Sequence, residues 1–388
     1  MNIDLVFPKF KLLSGAERLI LSLGRALAVR GHRVRVLCHR FDASCRPLLR
    51  DVTLVETGVR LDWTGNHYLD SVLSYLLSFR LRRAIAADTQ VVCLFGPALP
   101  LAWRRGADPV RLLYFCYEPP RATELDIADV LARVGRWRWL LAPALRAYRR
   151  LDRWLVERVD AVLVNGEFGR QRVREAYGCD ARVITHGVDL RDDGTTRLAA
   201  RVAVGIDAAV PAVLTVNFLH PRKRVDLLLR AWARVEKRLP GATLLVVGDG
   251  PEAGALREVA TRLGTCGVHF HGFVPEDRLH LYYRAADLLV HVARQETFGL
   301  TVVEAGAFGL PVVATDEGGP RHTVAHGETG LLVAAEEDEI AEALVALLSD
   351  PSRAQRMGHR ARERIREQFT WERGAQDFLD ACAALGAA

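Results

Sequence analysis

The chain has 388 residues, of which 50% are hydrophobic and 26% charged. This excludes a disordered, collagen-like or disulfide-scaffold protein, and the length suffices for two or three domains with sizeable cores. The formal net charge of +6 is unevenly placed. Residues 1–190 hold 30 basic and 20 acidic side chains, a net +10, whereas residues 191–388 hold 23 and 27, a net −4.

The predicted elements alternate between short apolar runs and amphipathic stretches. In the first half the runs that read as buried strands are Ile3–Phe7, Val34–Cys38, Val52–Glu56, Val91–Phe95, Leu112–Tyr117 and Ala161–Asn165. Helical patterns lie between several of them, for example at Glu17–Arg30 and Leu69–Ala87. After a polar, turn-rich stretch the strand pattern resumes at Val213–Val216, Leu244–Val247, Val268–Phe270, Leu288–Val292 and Val312–Ala314.

Alternating β and α units imply a parallel sheet covered by helices on both faces. Because the pattern occurs twice across a linker near residues 190–210, we expect an α/β protein with two Rossmann-like domains that face a cleft. The dinucleotide fingerprint is missing, since Lys11–Arg18 after the first strand contains one glycine, and no P-loop motif occurs. NAD chemistry and a P-loop nucleoside triphosphatase are therefore disfavoured.

The seven cysteines are scattered without a C-x-x-C pair, which favours reduced thiols over a zinc site or a disulfide framework. Met1 leads directly into the strand pattern at Ile3, so we expect no signal peptide. No apolar run reaches the roughly 18–20 residues of a membrane span. We expect a cytoplasmic protein, at most peripheral on the inner face of the membrane.

The sharpest chemical pattern runs from Glu296 to Ala314, after a strand and into a helix. The turn Phe298-Gly299-Leu300 places backbone N–H groups at a helix start, which suits a diphosphate. Glu296 and Glu304 could hold sugar and ribose hydroxyls. The alternative is structural, because Thr301 and Glu304 have the spacing of a capping box.

This segment, E-x-F-G-x-x-x-x-E followed by A-x-x-x-G-x-P-V-V, resembles the signature of the retaining GT-B glycosyltransferases of family 4. The resemblance covers nearly the whole chain, because further matching segments follow in the family's order. They are Ser14–Glu17, Tyr114–Arg121, Asn165–Phe168, Thr185–Asp189, Leu219–Arg224, Val247–Glu252, His271–Val274 and Gly318–Pro320.

The resemblance implies the GT-B fold, with an acceptor domain at 1–190 and a nucleotide-sugar donor domain at 200–365. A C-terminal helix at 366–388 is expected to cross back and pack on the N-terminal domain. The implied reaction is transfer of a hexosyl unit with retention of configuration to a lipid-linked or glycan acceptor. Mannosyl transfer from GDP-mannose is favoured over glucosyl or N-acetylglucosaminyl transfer from a UDP donor. A soluble small-molecule acceptor and a catalytically silent nucleotide-sugar-binding subunit are the alternatives; nucleic acid is not expected as a partner.

Catalytic roles are implied for Glu296 on the transferred sugar, for Lys223 on the diphosphate, and for Tyr117. Lys223 is one of four lysines in the chain. The residues implied to bind the donor are Gly15, Ala16, Arg222, Arg224, Val274, Phe298, Gly299, Leu300 and Glu304. Fixed cations and N–H dipoles stabilise a departing diphosphate, so we expect no metal and no cofactor beyond the nucleotide sugar. The competing interpretation of Arg222–Arg224 is a solvated basic turn.

The sequence departs from the family at two positions. Tyr117 stands where the family usually has His, and Tyr is not cationic near neutral pH. Glu118 beside it could take a polar role or be structural. Phe218 stands where an Arg is common, five residues before Lys223, so either Arg222 or Arg224 offsets the lost cation, or activity is weak, or the Phe is simple packing.

A basic segment, residues 133–158, is the remaining clue. Pro143 suits a first helical residue, and an apolar stripe then follows at Leu145, Tyr148, Leu151 and Leu155. Arginines fall mostly on the other side, with tryptophans nearby. Such a helix either meets an anionic membrane or packs in its own domain with a solvated Arg face.

Overall fold

The computed structural model of the chain describes residues 1–10, 15–59, 73–103, 110–117, 138–189 and 193–387. The chain divides into two compact units, Met1–Gly187 with Trp371–Ala388, and Val188–Thr370. Ser14, Glu118 and residues 133–137 of the basic segment, which the sequence singled out, lie outside the described residues.

The first unit is built on a parallel sheet of short, largely buried strands. Its strands are β1 (Asn2–Val6), β2 (Lys9–Phe10), β3 (Arg33–Cys38), β4 (Arg40–Phe41), β5 (Thr53–Glu56), β6 (Val91–Phe95), β7 (Arg111–Phe115), β8 (Ala161–Val164) and β9 (Arg182–Val183). The sheet order is β5-β3-β1-β6-β7-β8-β9, and β2 pairs with β4 separately. β6 is buried at every residue, as expected of a central parallel strand that helices cover on both faces.

Helices cover this sheet and complete its core. The α-helices span Gly15–Val29, Arg138–Val156, Glu167–Tyr177 and Trp371–Ala383, and 3₁₀ turns span Ala43–Leu48, Ser78–Ala84 and Gly96–Ala102. The last α-helix buries Ala375, Phe378 and Cys382 in the same hydrophobic core as β1 and β3. The C-terminal residues are therefore part of the first unit's interior.

The second unit has the strand order typical of a Rossmann sheet. Its strands are β10 (Ala212–Val216), β11 (Thr243–Val247), β12 (Val268–Gly272), β13 (Leu288–His291), β14 (Val312–Thr315) and β15 (Gly330–Val333). The order β12-β11-β10-β13-β14-β15 is the 3-2-1-4-5-6 arrangement of doubly wound sheets. The α-helices span Arg197–Val204, Val225–Arg238, Ala253–Leu263, Glu276–Ala285, Leu300–Ala307, Pro320–Thr323, Glu337–Leu348 and Pro351–Gln368.

Two helical expectations are corrected by the structure. The stretch expected as a linker contains the helix Arg197–Val204, which begins at Thr196, whose side chain accepts a hydrogen bond from the Ala199 amide at 3.2 Å. The expected helix at Leu69–Ala87 becomes, over the part that is described, a helical turn followed by the 3₁₀ segment Ser78–Ala84. Local capping by Thr196 accounts for the first of these differences, whereas the segment Ser78–Ala84 has no side-chain cap.

The basic segment also differs from its prediction. Its helix begins at Arg138, so Pro143 lies inside the helix and not at its first position. Leu151 is exposed, whereas Asp152 is 4% exposed and accepts hydrogen bonds from Tyr177 at 2.5 Å and Tyr75 at 3.4 Å. The inner face of this helix is therefore anchored by a carboxyl group as well as by Leu155.

The remaining composition-based expectations concern cysteines and membrane spans. None of the seven cysteines, all of which lie within the described ranges, is in a disulfide, and five of them are buried. Within the described ranges, none of the helices has the length and apolar character that crossing a bilayer requires.

The C-terminal helix depends on a close backbone approach at Gly374. A Cβ at that position would lie 2.3 Å from the carbonyl oxygen of Thr185, whose amide donates to Asp377 at 2.9 Å. We expect Gly374→Ala to destabilise the protein by about 1–3 kcal/mol, because overpacking against backbone cannot relax easily. Thermal unfolding would show this as a lower melting temperature.

Gly254 is the matched control, since it also lies in a helix but has open space where a Cβ would stand. Gly254→Ala should leave stability unchanged or raise it by up to about 1 kcal/mol through helix propensity. Equal melting temperatures for the two variants would contradict the close approach at Gly374.

Candidate functional site

The candidate site residues of the second unit lie where the order of its strands reverses. β10 is the central strand from which the chain moves first to β11 on one side and later to β13 on the other. In such sheets ligands bind outside the carboxyl ends of the strands at this switch point. The loops that follow β10 and β13 carry Lys223 and Glu296, respectively.

The loop after β10 ends in a short 3₁₀ turn, Pro221–Lys223, followed by Arg224 in a left-handed conformation with φ of +48°. This backbone conformation is unfavourable for a residue other than glycine. The Arg224 guanidinium donates to both carboxylate oxygens of Glu317, at 3.1 and 3.0 Å. Arg224 thus has an acidic partner within its own unit.

The loop after β13 is strained in the same way. Gln295, directly before Glu296, has φ of +56°. The amide of Arg294 donates to the carbonyl oxygen of Arg222 at 2.8 Å, which ties this loop to the loop after β10. The two predicted segments are therefore held together by backbone as well as by side chains.

Lys223 and Glu296 form an ion pair at the centre of this arrangement. The Lys223 Nζ lies 2.5 Å from Oε2 of Glu296, and the two side chains are only 21% and 18% exposed. Burial alone would raise the pKa of Glu296, but the charges of Lys223, of His291 (which is protonated only in acid) and of Arg222, together with the hydrogen bond from Lys223, lower it to about 2. Glu296 is therefore a carboxylate at neutral pH.

His291 also belongs to the site, although the sequence analysis did not single it out. It is the last residue of β13, is 2% exposed, and its Nε2 lies 3.7 Å from Oε2 of Glu296. Burial lowers its pKa to about 4, with Lys223 acting in the same direction and Glu296 opposing. The signal in the sequence was a single polar residue within the apolar run 288–292.

The backbone of Glu296 is fixed by a pair of glycines. The Gly319 amide donates to the Glu296 carbonyl oxygen at 2.7 Å. A Cβ on Gly318 would lie 2.5 Å from that oxygen, and one on Gly319 would lie 2.6 Å from the Cα of Phe298. Glycine is therefore required at both positions for this approach.

The helix Leu300–Ala307 begins at Gly299, which has φ of +84°. Thr301 is therefore inside the helix, and its Oγ1 lies 3.4 Å from Nδ1 of His291, so the capping-box interpretation of Thr301 and Glu304 is wrong. Glu304 is 7% exposed and accepts a hydrogen bond from Tyr283 Oη at 2.6 Å. As at any helix start, the first backbone N–H groups of this helix have no hydrogen-bond acceptor within the helix itself.

Val274 and Phe218 are the remaining residues of the second unit that the sequence singled out. Val274 follows β12 and packs, partly buried, against an apolar cluster that includes Tyr283. Phe218 is 64% exposed and stacks on His220 with ring centroids 6.4 Å apart. Simple packing therefore does not explain Phe218. Among the described residues no group of three or more His, Cys, Asp or Glu could hold a metal ion.

In the first unit, Tyr117 and the residues Gly15 and Ala16 lie at the carboxyl edge of that unit's own sheet. Tyr117 follows β7, and its hydroxyl would lie 2.7 Å from a Cβ on Gly96, the residue directly after β6. Gly15 begins the helix Gly15–Val29, and Ala16 packs against the core beneath it.

Two family models match the chain, one for each half. Residues 13–192 match Glycosyltransferase Family 4, and residues 197–364 match Glycosyl transferases group 1. The chain is 32% identical over 320 residues to the GDP-mannose-dependent alpha-(1-6)-phosphatidylinositol monomannoside mannosyltransferase of Mycobacterium tuberculosis, covering 78% of each chain. The chain is a family 4 glycosyltransferase.

Two further similarities support the same family and its fold. The D-inositol 3-phosphate glycosyltransferase of Nocardia farcinica is 37% identical over 246 residues, 60% of this glycosyltransferase and 54% of that protein. The structure of Anabaena HepE in complex with UDP-glucose aligns with a TM-score of 0.75 and 21% identity over 99% of this chain and 100% of that one. The predicted family and the predicted GT-B fold of this glycosyltransferase are thereby confirmed.

The hydrogen bond from Tyr283 to the buried carboxyl group of Glu304 can be tested by substitution in this glycosyltransferase. We expect Tyr283→Phe to reduce the free energy of unfolding by about 1–3 kcal/mol, because it removes a hydrogen bond from the buried Glu304 carboxyl group. Chemical denaturation would measure the loss.

Tyr282 is the neighbouring control. Its hydroxyl lies 3.2 Å from His271 Nδ1 in a half-buried position. Tyr282→Phe should cost less, about 1 kcal/mol or below, because water can replace a half-exposed partner. A larger loss for Tyr282→Phe than for Tyr283→Phe would refute the anchoring role of Tyr283.

Proposed function

We propose that this glycosyltransferase moves a hexosyl unit, with retention of configuration, from a nucleoside-diphosphate sugar to a lipid-linked or glycan acceptor. The observation that carries the proposal is the Lys223–Glu296 ion pair at the carboxyl ends of β10 and β13. The pair places a cation beside a carboxylate. In a bound sugar diphosphate, the cation would contact the diphosphate and the carboxylate would accept hydrogen bonds from sugar hydroxyls.

The cation serves the leaving group. When the bond to the anomeric carbon breaks, negative charge develops on the diphosphate, and a preorganised cation lowers the energy of that state. An ammonium has three N–H donors, so Lys223 retains two for phosphate oxygens while it contacts Glu296. Phe298, Gly299 and Leu300 add the positive end of a helix dipole.

The remaining predicted contacts complete the donor site in this proposal. Glu296 holds hydroxyls of the transferred sugar, Glu304 the ribose, and the Val274 backbone the base. Arg222 adds positive charge near Glu296, whereas Arg224 is paired with Glu317 and stabilises the loop. For the first unit, the family resemblance predicts amide donors at Gly15 and Ala16 and a hydroxyl at Tyr117. No metal is part of the proposed reaction.

GDP-mannose is the favoured donor. The mycobacterial relative, which covers most of the chain, is named as GDP-mannose-dependent, whereas HepE was crystallised with UDP-glucose. Transfer from UDP-glucose or UDP-N-acetylglucosamine is the alternative reaction. A catalytically silent nucleotide-sugar-binding protein is the alternative of a different class, favoured by Tyr117 and Phe218, where the family usually has cations.

The first unit carries a surface suited to a lipid-linked acceptor. Leu76, Phe79, Trp103 and Leu151 are exposed apolar side chains, and the elements that carry Phe79 and Leu151 also carry exposed arginines. Trp103 and Trp154 meet edge to face at 5.7 Å, which joins the 3₁₀ segment 96–102 to the basic helix. Apolar and cationic side chains together suit an anionic membrane surface, which supports our proposal that the enzyme lies at the cytoplasmic face of the membrane.

Donor binding and turnover test the proposal separately. We expect a thermal shift with GDP-mannose that exceeds the shifts with UDP-glucose, UDP-N-acetylglucosamine and ADP-glucose, followed by sugar transfer to a phosphatidylinositol-type acceptor. Lys223→Ala and Glu296→Gln should each reduce transfer by about 100-fold or more, because each removes a charged contact to the transition state.

Lys237→Ala is the matched control, since Lys237 is an exposed lysine on the helix Val225–Arg238. It should retain full activity. Full transfer by either site variant would overturn the site assignment. A strong thermal shift without transfer to any acceptor would identify the silent binder.

Vesicle sedimentation tests the membrane surface. The protein should bind vesicles containing anionic lipid at low salt but not neutral vesicles, because screening weakens the attraction of arginines to headgroups. Phe79→Ser with Trp103→Ser should weaken this binding, whereas Val202→Ser, at an exposed apolar position of the second unit, should not. Equal binding to neutral and anionic vesicles would contradict the proposed surface.

A further inference from the structure

His291 occupies a position that packing alone does not explain. It ends β13 between Val290 and Val292, both of which are buried apolar residues. Its Nε2 has no hydrogen-bond partner among the described residues. Burying a polar atom without a partner costs free energy of folding, so an apolar side chain would serve the core better.

The imidazole is oriented by its other nitrogen. Thr301 Oγ1 lies 3.4 Å from Nδ1 on one side of the ring, and the Glu296 carboxylate lies 3.7 Å from Nε2 on the other. A neutral imidazole beside an anion favours the tautomer that carries its proton on the nitrogen facing that anion. Thr301 then donates to Nδ1, and the Nε2 proton faces Glu296.

The protonation state agrees with this geometry. Burial lowers the pKa of His291 to about 4, so the ring is neutral at pH 7 and the Glu296 carboxylate is charged. His291 therefore presents a neutral N–H dipole to a negative oxygen. It adds no positive charge that would compete with the diphosphate cation.

Both inward contacts of Glu296 fall on the same oxygen. Oε2 receives Lys223 at 2.5 Å and faces His291 at 3.7 Å, whereas Oε1 accepts no hydrogen bond from the part of the chain that is described. The protein thus contacts Oε2, and Oε1 is left to accept hydrogen bonds from a ligand. The gap to His291 closes to a hydrogen bond with a movement of less than about 1 Å.

We propose that His291 is a positioning residue that holds Oε2 of Glu296 when Lys223 turns toward the donor diphosphate. The proposal rests on the proposed function, in which Lys223 contacts the diphosphate and Glu296 the transferred sugar. Lys223 can donate to both groups, but as negative charge develops on the leaving group its ammonium is drawn toward the diphosphate and its contact with Glu296 weakens. His291 keeps Glu296 oriented through that step, so that Oε1 continues to accept from the sugar hydroxyl.

Kinetics of three variants test this role. His291→Leu should lower kcat by about 10-fold, the effect of one lost hydrogen bond in the transition state, with little change in the donor KM and an unchanged or higher melting temperature. His291→Gln, which keeps an N–H donor near the Nε2 position, should restore most of kcat. Thr301→Val should lower kcat less, because it removes only the hydroxyl that fixes the tautomer of His291 and leaves the His291 ring in place.

A double variant and a control make the role specific. If His291 acts through Glu296, then His291→Leu should not reduce the residual activity of Glu296→Gln any further. His359→Leu removes an exposed histidine from the helix Pro351–Gln368 and should leave kcat unchanged.

The outcomes separate this proposal from the proposed function. Loss of transfer in Glu296→Gln together with wild-type kcat in His291→Leu overturns the positioning role alone. Equal losses in His291→Leu and His291→Gln, accompanied by a lower melting temperature in both, overturn it as well and show that the ring is structural. Full activity of Glu296→Gln overturns the proposed function itself.

Discussion

The attraction between Lys223 and Glu296 is the interaction on which the arrangement of the site depends. Each residue lies in a loop that leaves the sheet at the switch point, and each loop contains a left-handed residue that is not glycine, Arg224 or Gln295. Such conformations persist only where the surroundings determine them. Here the ion pair, the Arg224–Glu317 pair and the backbone bond from Arg294 to Arg222 together provide that determination.

The same pair accounts for the chemistry of the carboxylate. A half-buried carboxyl group far from any cation would be driven toward its neutral form. Lys223 reverses this for Glu296, and the glycines at 318 and 319 let the backbone approach closely enough to fix its position. Electrostatics and backbone packing thus reinforce one another at a single residue.

Much of this could be predicted from sequence because the evidence was local. The apolar runs located nearly all the larger strands, and the spacing from Glu296 to Glu304 identified the family. What failed depended on tertiary context: Pro143 lies within a helix, Thr301 contacts His291 instead of capping, and Asp152 is buried under two tyrosines. No local pattern tells which face of a helix an aspartate occupies when its partners, Tyr75 and Tyr177, are distant in sequence.

His291 shows the same limit from the other side. In the sequence it is one polar residue in an apolar strand, and only the fold brings it within reach of a carboxylate five positions later. The strand ends at His291 and the loop after it has a left-handed residue at Gln295. His291 and Glu296 are therefore not neighbours on one face of a strand.

The helix Trp371–Ala383 has a consequence for how the protein is made. Its Phe378 and Cys382 belong to the core of the first unit, yet they are synthesised after the whole second unit. Domains usually fold in the order of synthesis. Here the second unit is complete while the first still lacks part of its interior, so the growing chain carries an unfilled apolar groove until the helix Trp371–Ala383 has been synthesised. Premature termination near residue 370 would therefore damage the first unit, although every residue of its sheet would be present.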